Sequence, residues 1–249
     1  MKKNRIVFFL FLFCTLLYFP VFGEKKVEAD EILINEGYYF TGEKGVSDNP
    51  ETKRYFKSFY IDIHPVTNRA YLDFLNKSGF IPKGDFDKEL AALYPDLPAT
   101  RLTFNDCREY AKFIDKRIPS EWEWEIAAKS LKRDNKYVYG KVSSKEEGNF
   151  LSSRLYKKVK VMSYRPNKLG IYGMEGNVYE WTTGEYEKKF IVGNIISGIK
   201  LMIIRGGSWT NQSYDIQTNT RTPFPFNRSL DWLGFRCARD QFSIKKDNK

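Results

Sequence analysis

Histidine and cysteine are scarce in this 249-residue chain, which limits the chemistry open to it. The single histidine, His64, cannot assemble an iron site that needs several imidazoles. Nucleophile–histidine–aspartate catalysis would depend on the same residue, so we interpret His64 as a packed or surface side chain. The net charge is +10, yet the lysines are scattered and no arginine-rich run occurs, which argues against nucleic acid binding.

The N-terminus carries the pattern of an export signal. Basic side chains precede an apolar run over residues 6–19, and small residues then lead to Gly23. This layout predicts a signal peptide over 1–23, followed by a charged linker over 24–30. An uncleaved membrane anchor and a lipoprotein modified at Cys14 are the alternatives. We therefore expect an exported protein that is periplasmic, bound to the cell envelope or secreted, and that meets a membrane only if this segment is retained.

Two cysteines remain after the signal peptide, Cys107 and Cys237. In an oxidising compartment they could form a disulfide that closes a long loop. Two buried free thiols are the alternative. We take the disulfide as the expectation.

The middle of the chain predicts a mixed structure with few regular elements. Capping residues place helix starts at Thr67 or Asn68, at Thr103 and at Ser120. Short strands are expected over 31–34, 37–42 and 56–63, because apolar and β-branched residues cluster there. Loops rich in glycine, proline or polar residues are expected over 77–99 and 132–166.

The C-terminal third holds four short motifs in a fixed order. Glycines flanked by aromatic and charged residues recur, a pattern typical of tightly turned backbone. The motifs are Gly170-Ile171-Tyr172-Gly173-Met174-Glu175-Gly176-Asn177-Val178-Tyr179-Glu180-Trp181, then Arg205-Gly206-Gly207-Ser208-Trp209, then Arg221, then Gly234-Phe235-Arg236-Cys237-Ala238.

With these motifs, the segments 59–68, 102–106 and 116–125 resemble the formylglycine-generating enzyme family, also called the sulfatase-modifying factor family. The resemblance covers residues 31–240 and leaves a basic tail over 241–249. It implies an α+β fold that is a variant of the C-type lectin-like architecture, with low regular secondary structure.

The resemblance also locates the position of the family's chemistry. Active relatives oxidise a sulfatase cysteine with O₂, using two cysteines after the Gly-Gly-Ser turn that bind Cu(I). Here Ser208 matches the serine, and the two cysteine positions fall on Asn211 and, with a gap of one residue, on Asp215. Amide and carboxylate oxygens are poor ligands for Cu(I). We therefore expect neither bound copper nor formylglycine-generating activity.

Calcium is the cofactor that the resemblance favours. The family binds it through a glutamate and nearby backbone carbonyls in the glycine-rich loop, and oxygen ligands suit Ca²⁺. The alternative is that Glu180 forms a buried ion pair with Arg205 or Arg236. The predicted ligands are Gly173, Gly176, Val178 and Glu180.

The function expected from these observations is a non-catalytic module that binds a peptide, a glycan or an envelope protein where active relatives hold substrate. An enzyme of the formylglycine-generating type, or an oxidase with a divergent metal site, is the alternative, and a purely structural envelope component is a third. The residues expected to line the groove are Trp209, Tyr214, Arg221, Arg228 and Trp232.

Overall fold

The computed structural model describes residues 31–47, 49–192 and 195–241, without the side chains of 187–200. The predicted signal peptide, the linker over 24–30 and all of the basic tail beyond Gln241 lie outside the described residues. Within them, no helix is both long and apolar enough to cross a membrane.

Nine strands form three small sheets in the described part of the chain. One sheet has the antiparallel order β1-β4-β9, and a second is the β2-β3 ribbon. The third has the order β7-β6-β5-β8, in which only β8 runs parallel to its neighbour. The strands are β1 Glu31–Ile34, β2 Gly37–Thr41, β3 Thr52–Phe56, β4 Phe59–Asp62, β5 Tyr179–Val192, β6 Ile195–Arg205, β7 Thr222–Pro225, β8 Leu233–Gly234 and β9 Ala238–Asp240.

The three predicted helices are present, and local capping explains where each begins. The hydroxyl of Thr67 caps α1, while Thr103 and Ser120 each form a reciprocal capping box with the acid three residues later. The helices are α1 Asn68–Ser78, α2 Lys88–Leu93, α3 Phe104–Phe113 and α4 Glu121–Ala128.

Helix α2 and the β5–β6 hairpin were not predicted from the sequence. Helix α2 lies inside the predicted loop over 77–99, where Asp87 caps six residues. Strands β5 and β6 form a long hairpin with a register shift between Trp181 and Glu185. The isoleucine-rich run over 195–204 was the available signal for this hairpin.

Large aromatic side chains dominate the larger of two buried clusters. Tyr71 packs edge-on against Phe74, Phe86 and Phe235, and it stacks with Tyr110 at a ring-centre distance of 5.7 Å. Such rings bury much apolar area each and favour these offset arrangements. Helices α1 and α3 are thereby fixed against the C-terminal segment that carries Phe235.

The expected disulfide is not formed in the structure. Cys107 and Cys237 are free thiols, the alternative that the sequence left open, and both lie fully buried in the aromatic cluster. Burial raises the pKa of each thiol well above its ordinary value, so both are protonated rather than reactive thiolates.

Candidate functional site

Two glycines at the end of β6 set the entry to the loop that holds the family's reactive positions. Gly206 and Gly207 have φ angles of +92° and +68°, which glycine adopts without strain. A Cβ on Gly207 would lie 2.4 Å from a methyl carbon of Ile216, which is itself fully buried. The turn therefore packs tightly against the loop and directs Ser208 into the interior.

Ser208, Asn211 and Asp215 form one hydrogen-bonded cluster in the structure. The Ser208 hydroxyl donates to Asn211 Oδ1 at 2.6 Å, and Asn211 Nδ2 lies 3.3 Å from Asp215 Oδ2. The backbone N–H of Ser208 also donates to Asn211 Oδ1, at 3.0 Å. Asn211 and Asp215, the residues expected at the two cysteine positions, thus face each other with an amide and a carboxylate.

Backbone hydrogen bonds hold this cluster to the glycine-rich loop. The N–H of Trp209 donates to the carbonyl of Asn177 at 3.1 Å, and the carbonyl of Asn211 accepts from Leu151 N–H at 2.9 Å. Trp209 is half-buried, whereas Tyr214 is 64% exposed. Both aromatic residues belong to the loop that carries the cluster.

Arg221, one of the five predicted groove residues, contacts helix α4. It donates two hydrogen bonds to Glu121, at 2.6 and 2.8 Å. Its guanidinium also lies over the ring of Trp122, 5.3 Å from the ring centre. Both partners belong to α4, so the Arg221 side chain is held against that helix.

The other two predicted groove residues lie between β7 and β8. Trp232 packs against Tyr179 and Phe224, with ring centres 5.5 and 5.6 Å apart. Arg228 is exposed in the turn after β7, where its N–H donates to the carbonyl of Pro225. Trp209 and Tyr214 are the predicted groove residues in the same loop as Ser208, Asn211 and Asp215.

Glu180 forms a buried ion pair with Arg236, which was the alternative to its predicted role as a calcium ligand. Arg236 donates to both of its carboxylate oxygens, at 2.6 and 2.7 Å, and Trp124 Nε1 donates to Oε2 at 2.9 Å. Glu180 and Arg236 are both fully buried. The guanidinium supplies the positive charge next to this carboxylate, so Glu180 does not fit calcium unless Arg236 moves away. Calcium through Gly173, Gly176 and Val178 stays a prediction.

A second buried ionic cluster centres on Glu125 of α4. Its carboxylate accepts hydrogen bonds from Arg205, from Lys129 at 2.7 Å and from the N–H of Gly42 at 2.6 Å. The side chains of Glu125 and Arg205 are fully buried, and that of Lys129 is 4% exposed. The sequence signal for this cluster was an acid and a lysine four residues apart on one helix face.

A sequence profile of the sulfatase-modifying factor enzyme 1-like domain matches residues 18–241. The match spans most of the chain and includes every motif discussed above. The chain belongs to this family. The resemblance inferred from the glycine-rich motifs is thereby confirmed.

Relatives within the family have diverse names. The serine/threonine-protein kinase Pkn1 of Chlamydia trachomatis serovar L2 is 31% identical over 242 residues, which is 84% of this chain and 38% of that protein. The inactive C-alpha-formylglycine-generating enzyme 2 of Mus musculus is 27% identical over 168 residues, covering 61% of this chain and 52% of that protein. The chain thus spans about two fifths of the length of the Pkn1 relative and half that of the mouse protein.

The fold agrees with the family assignment. The structure of PvdO from Pseudomonas aeruginosa superposes with a TM-score of 0.67 at 23% identity, covering 84% of this chain and 94% of that one. The expected α+β, C-type lectin-like architecture with little regular secondary structure is confirmed.

One buried carboxyl in the family's glycine-rich loop makes stability depend on pH. Glu175 is 3% exposed, and burial raises its pKa from 4.5 to about 7, while a hydrogen bond from Val138 N–H at 2.9 Å does not offset this. Because the pKa of Glu175 is higher in the folded protein, the neutral carboxyl contributes to the stability of the fold. This contribution is fully present below pH 4.5 and is lost as the pH rises through 7.

We expect Glu175→Gln to unfold at a higher denaturant concentration than the wild-type protein at pH 8, by about 2–3 kcal/mol in the free energy of unfolding. At pH 4.5 the two proteins should differ by less than about 0.5 kcal/mol, because Glu175 is then neutral in the folded state and only half ionised in the unfolded state. Urea unfolding at the two pH values measures the difference. An equal effect of the substitution at both pH values would contradict the titration of Glu175.

Proposed function

We propose that this chain is an exported, non-catalytic member of the sulfatase-modifying factor family that binds a peptide or glycan beside Trp209 and Tyr214. The observation that carries the proposal is the Ser208–Asn211–Asp215 cluster, in which an amide and a carboxylate lie 3.3 Å apart at the positions of the copper-binding cysteines. Export follows from the N-terminal sequence pattern alone.

The kind of metal ligand that the loop offers argues against the family's oxidation reaction. Cu(I) prefers soft thiolates, whereas Asn211 and Asp215 offer a neutral amide and a hard oxygen ligand. The two cysteines among the described residues cannot replace them, because both are protonated thiols inside the aromatic cluster. The chain therefore retains the scaffold around the reactive position without the groups that bind the metal.

Two of the relatives support a role in binding. The mouse relative carries the word inactive in its name, so the family includes members without the oxidase activity. The chlamydial relative has this domain as 38% of a longer protein, as a binding module attached to other segments would be. The kinase name describes that whole protein, and nothing of kinase activity is proposed for this chain.

We expect no formylglycine when the purified protein is incubated with Cu(I), O₂ and a cysteine-containing sulfatase peptide. Mass spectrometry of the peptide measures the conversion, and an active formylglycine-generating enzyme in parallel shows that the conditions support turnover. Copper-dependent aldehyde formation by this chain would instead establish the alternative function, an oxidase with a divergent metal site.

Binding at the proposed surface is tested with a variant that leaves the core intact. Tyr214→Ala removes an exposed ring, and we expect it to weaken a peptide or glycan ligand about tenfold, because aromatic side chains dominate such contacts. Tyr38→Ala is the matched control, since Tyr38 is 65% exposed on β2. Calorimetric titration of the two variants with the same ligand compares them. Equal affinities would move the binding surface away from Tyr214.

A further inference from the structure

A cavity of about 460 Å³ lies between the β2–β3 ribbon and the segment that follows α4. Its wall is formed by the turn between β2 and β3, by residues of the segment 129–141 and by Asn219, so neither Trp209 nor Tyr214 lines it. Apart from Gly42, the lining residues have charged or amide side chains, whose aliphatic carbons supply much of the exposed surface. Such a wall suits a ligand that carries both polar groups and some apolar surface.

The floor of the cavity carries buried positive charge in excess. Lys129 donates to Glu125 Oε1 at 2.7 Å and to the carbonyl of Gly42 at 3.0 Å. Glu125 is shared with Arg205, so two buried cations use one buried carboxylate. The nearby Glu121 pairs with Arg221 and does not restore the balance. A buried charge is costly unless it is paired, so an anion at this floor would be favourable.

The side chains at the rim of the cavity add to this positive charge. Five of the lining residues are lysine or arginine and three are acidic, which leaves the wall with an excess of positive charge. Arg133 is fixed by two hydrogen bonds to Glu51, at 2.9 and 2.7 Å, and by its position over the Phe40 ring. Lys44 and Lys141 are exposed at the rim and can close over a bound group. A concave surface that carries an excess of one charge attracts ions of the opposite charge.

The acceptors in the wall indicate what else the ligand carries. Three carboxylates and two asparagines line the cavity beside the cations, and such groups accept hydrogen bonds from hydroxyls. Arg133 already binds Glu51, and Asn219 and Lys136 contact Glu43, but the buried Oδ1 of Asn219 has no hydrogen-bond partner among the described residues. A simple anion would leave this acceptor unpaired and would fill a small part of the volume. We propose that this cavity binds an acidic saccharide, with its anionic group against Lys129 and its hydroxyls against the carboxylates and asparagines of the wall. This site is independent of the surface beside Tyr214.

Calorimetric titration of the purified full chain at low ionic strength tests the site. The probes are a uronic acid disaccharide, a sulfated disaccharide and a sugar phosphate, each compared with a neutral disaccharide and with inorganic phosphate and sulfate. We expect at least one acidic saccharide to bind about tenfold or more tightly than the neutral sugar and the inorganic ions. The acidic saccharide that binds identifies whether the cavity accepts a carboxylate, a sulfate or a phosphate.

Exposed lysines provide variants that leave the fold intact. We expect the double variant Lys44→Gln/Lys141→Gln to weaken the acidic saccharide about tenfold, and the control Lys57→Gln, an exposed lysine outside the cavity, to leave it unchanged. Equal binding of neutral and acidic sugars, phosphate binding as tightly as the saccharide, or no binding at all would overturn the proposal. Binding lost in Tyr214→Ala but retained in the double variant would overturn it too, while supporting the function proposed above.

Discussion

Replacement of Glu125 by alanine is expected to lower the free energy of unfolding by about 3–5 kcal/mol. The change leaves Lys129 and Arg205 buried without the carboxylate that they share, and it removes the acceptor of Gly42 N–H. Removing one partner of a buried ion pair is costly because the other charge has already lost its water. Urea unfolding followed by tryptophan fluorescence measures the loss.

The matched control for this change is Glu109→Ala on α3. Glu109 forms an ion pair with Lys112 at 2.9 Å, but both side chains are more than a third exposed, so its loss should cost less than about 1 kcal/mol. A double variant, Glu125→Leu/Lys129→Met, removes charge of both signs and should recover part of the stability. If Glu125→Ala costs no more than Glu109→Ala, the buried cluster does not hold α4 to β6.

Gly176→Ala is expected to destabilise the fold by about 3 kcal/mol or more. Gly176 has a φ of +77°, and a Cβ there would lie 2.2 Å from the backbone carbonyl oxygen of Asn149. The left-handed backbone alone costs a side chain about 1–2 kcal/mol, and the contact forces two backbone segments apart. The glycine-rich loop and the segment at Asn149 would both have to shift, and thermal unfolding measures the cost.

Gly79→Ala separates the two contributions. Gly79 ends α1 with a φ of +69°, but nothing lies within 4 Å of a Cβ at this position. Its substitution should therefore cost only the left-handed backbone, about 1 kcal/mol. Equal losses for the two variants would show that the close approach at Asn149 relaxes without cost.

The helix starts and the family were predictable because they depend on residues close together in sequence. Thr103 and Asp106 are three positions apart, and so are Ser120 and Glu123, so the capping boxes are visible in the chain. Asn211 and Asp215, at the expected cysteine positions, were equally visible, because they follow a recognisable glycine motif. The hairpin β5–β6 could have been found from its isoleucines, and α2 was hidden by the surrounding glycine and proline.

Partner choice among charged residues was not predictable. The sequence offered Glu180 a calcium ion, Arg205 or Arg236, and Arg236 binds it across 56 positions of chain. Arg205 instead binds Glu125, 80 positions away, and Arg221 binds Glu121. The cavity above Lys129 likewise joins the β2–β3 ribbon to Asn219.

The sequence by itself thus determined the family and the capped helices, since each is a property of identity or of neighbouring residues. Tertiary structure alone decided which carboxylate each buried arginine binds and where excess positive charge meets a cavity. The physical reason is that an ion pair forms only where the fold brings two side chains together and removes their water, and the spacing of residues along the chain does not contain that information.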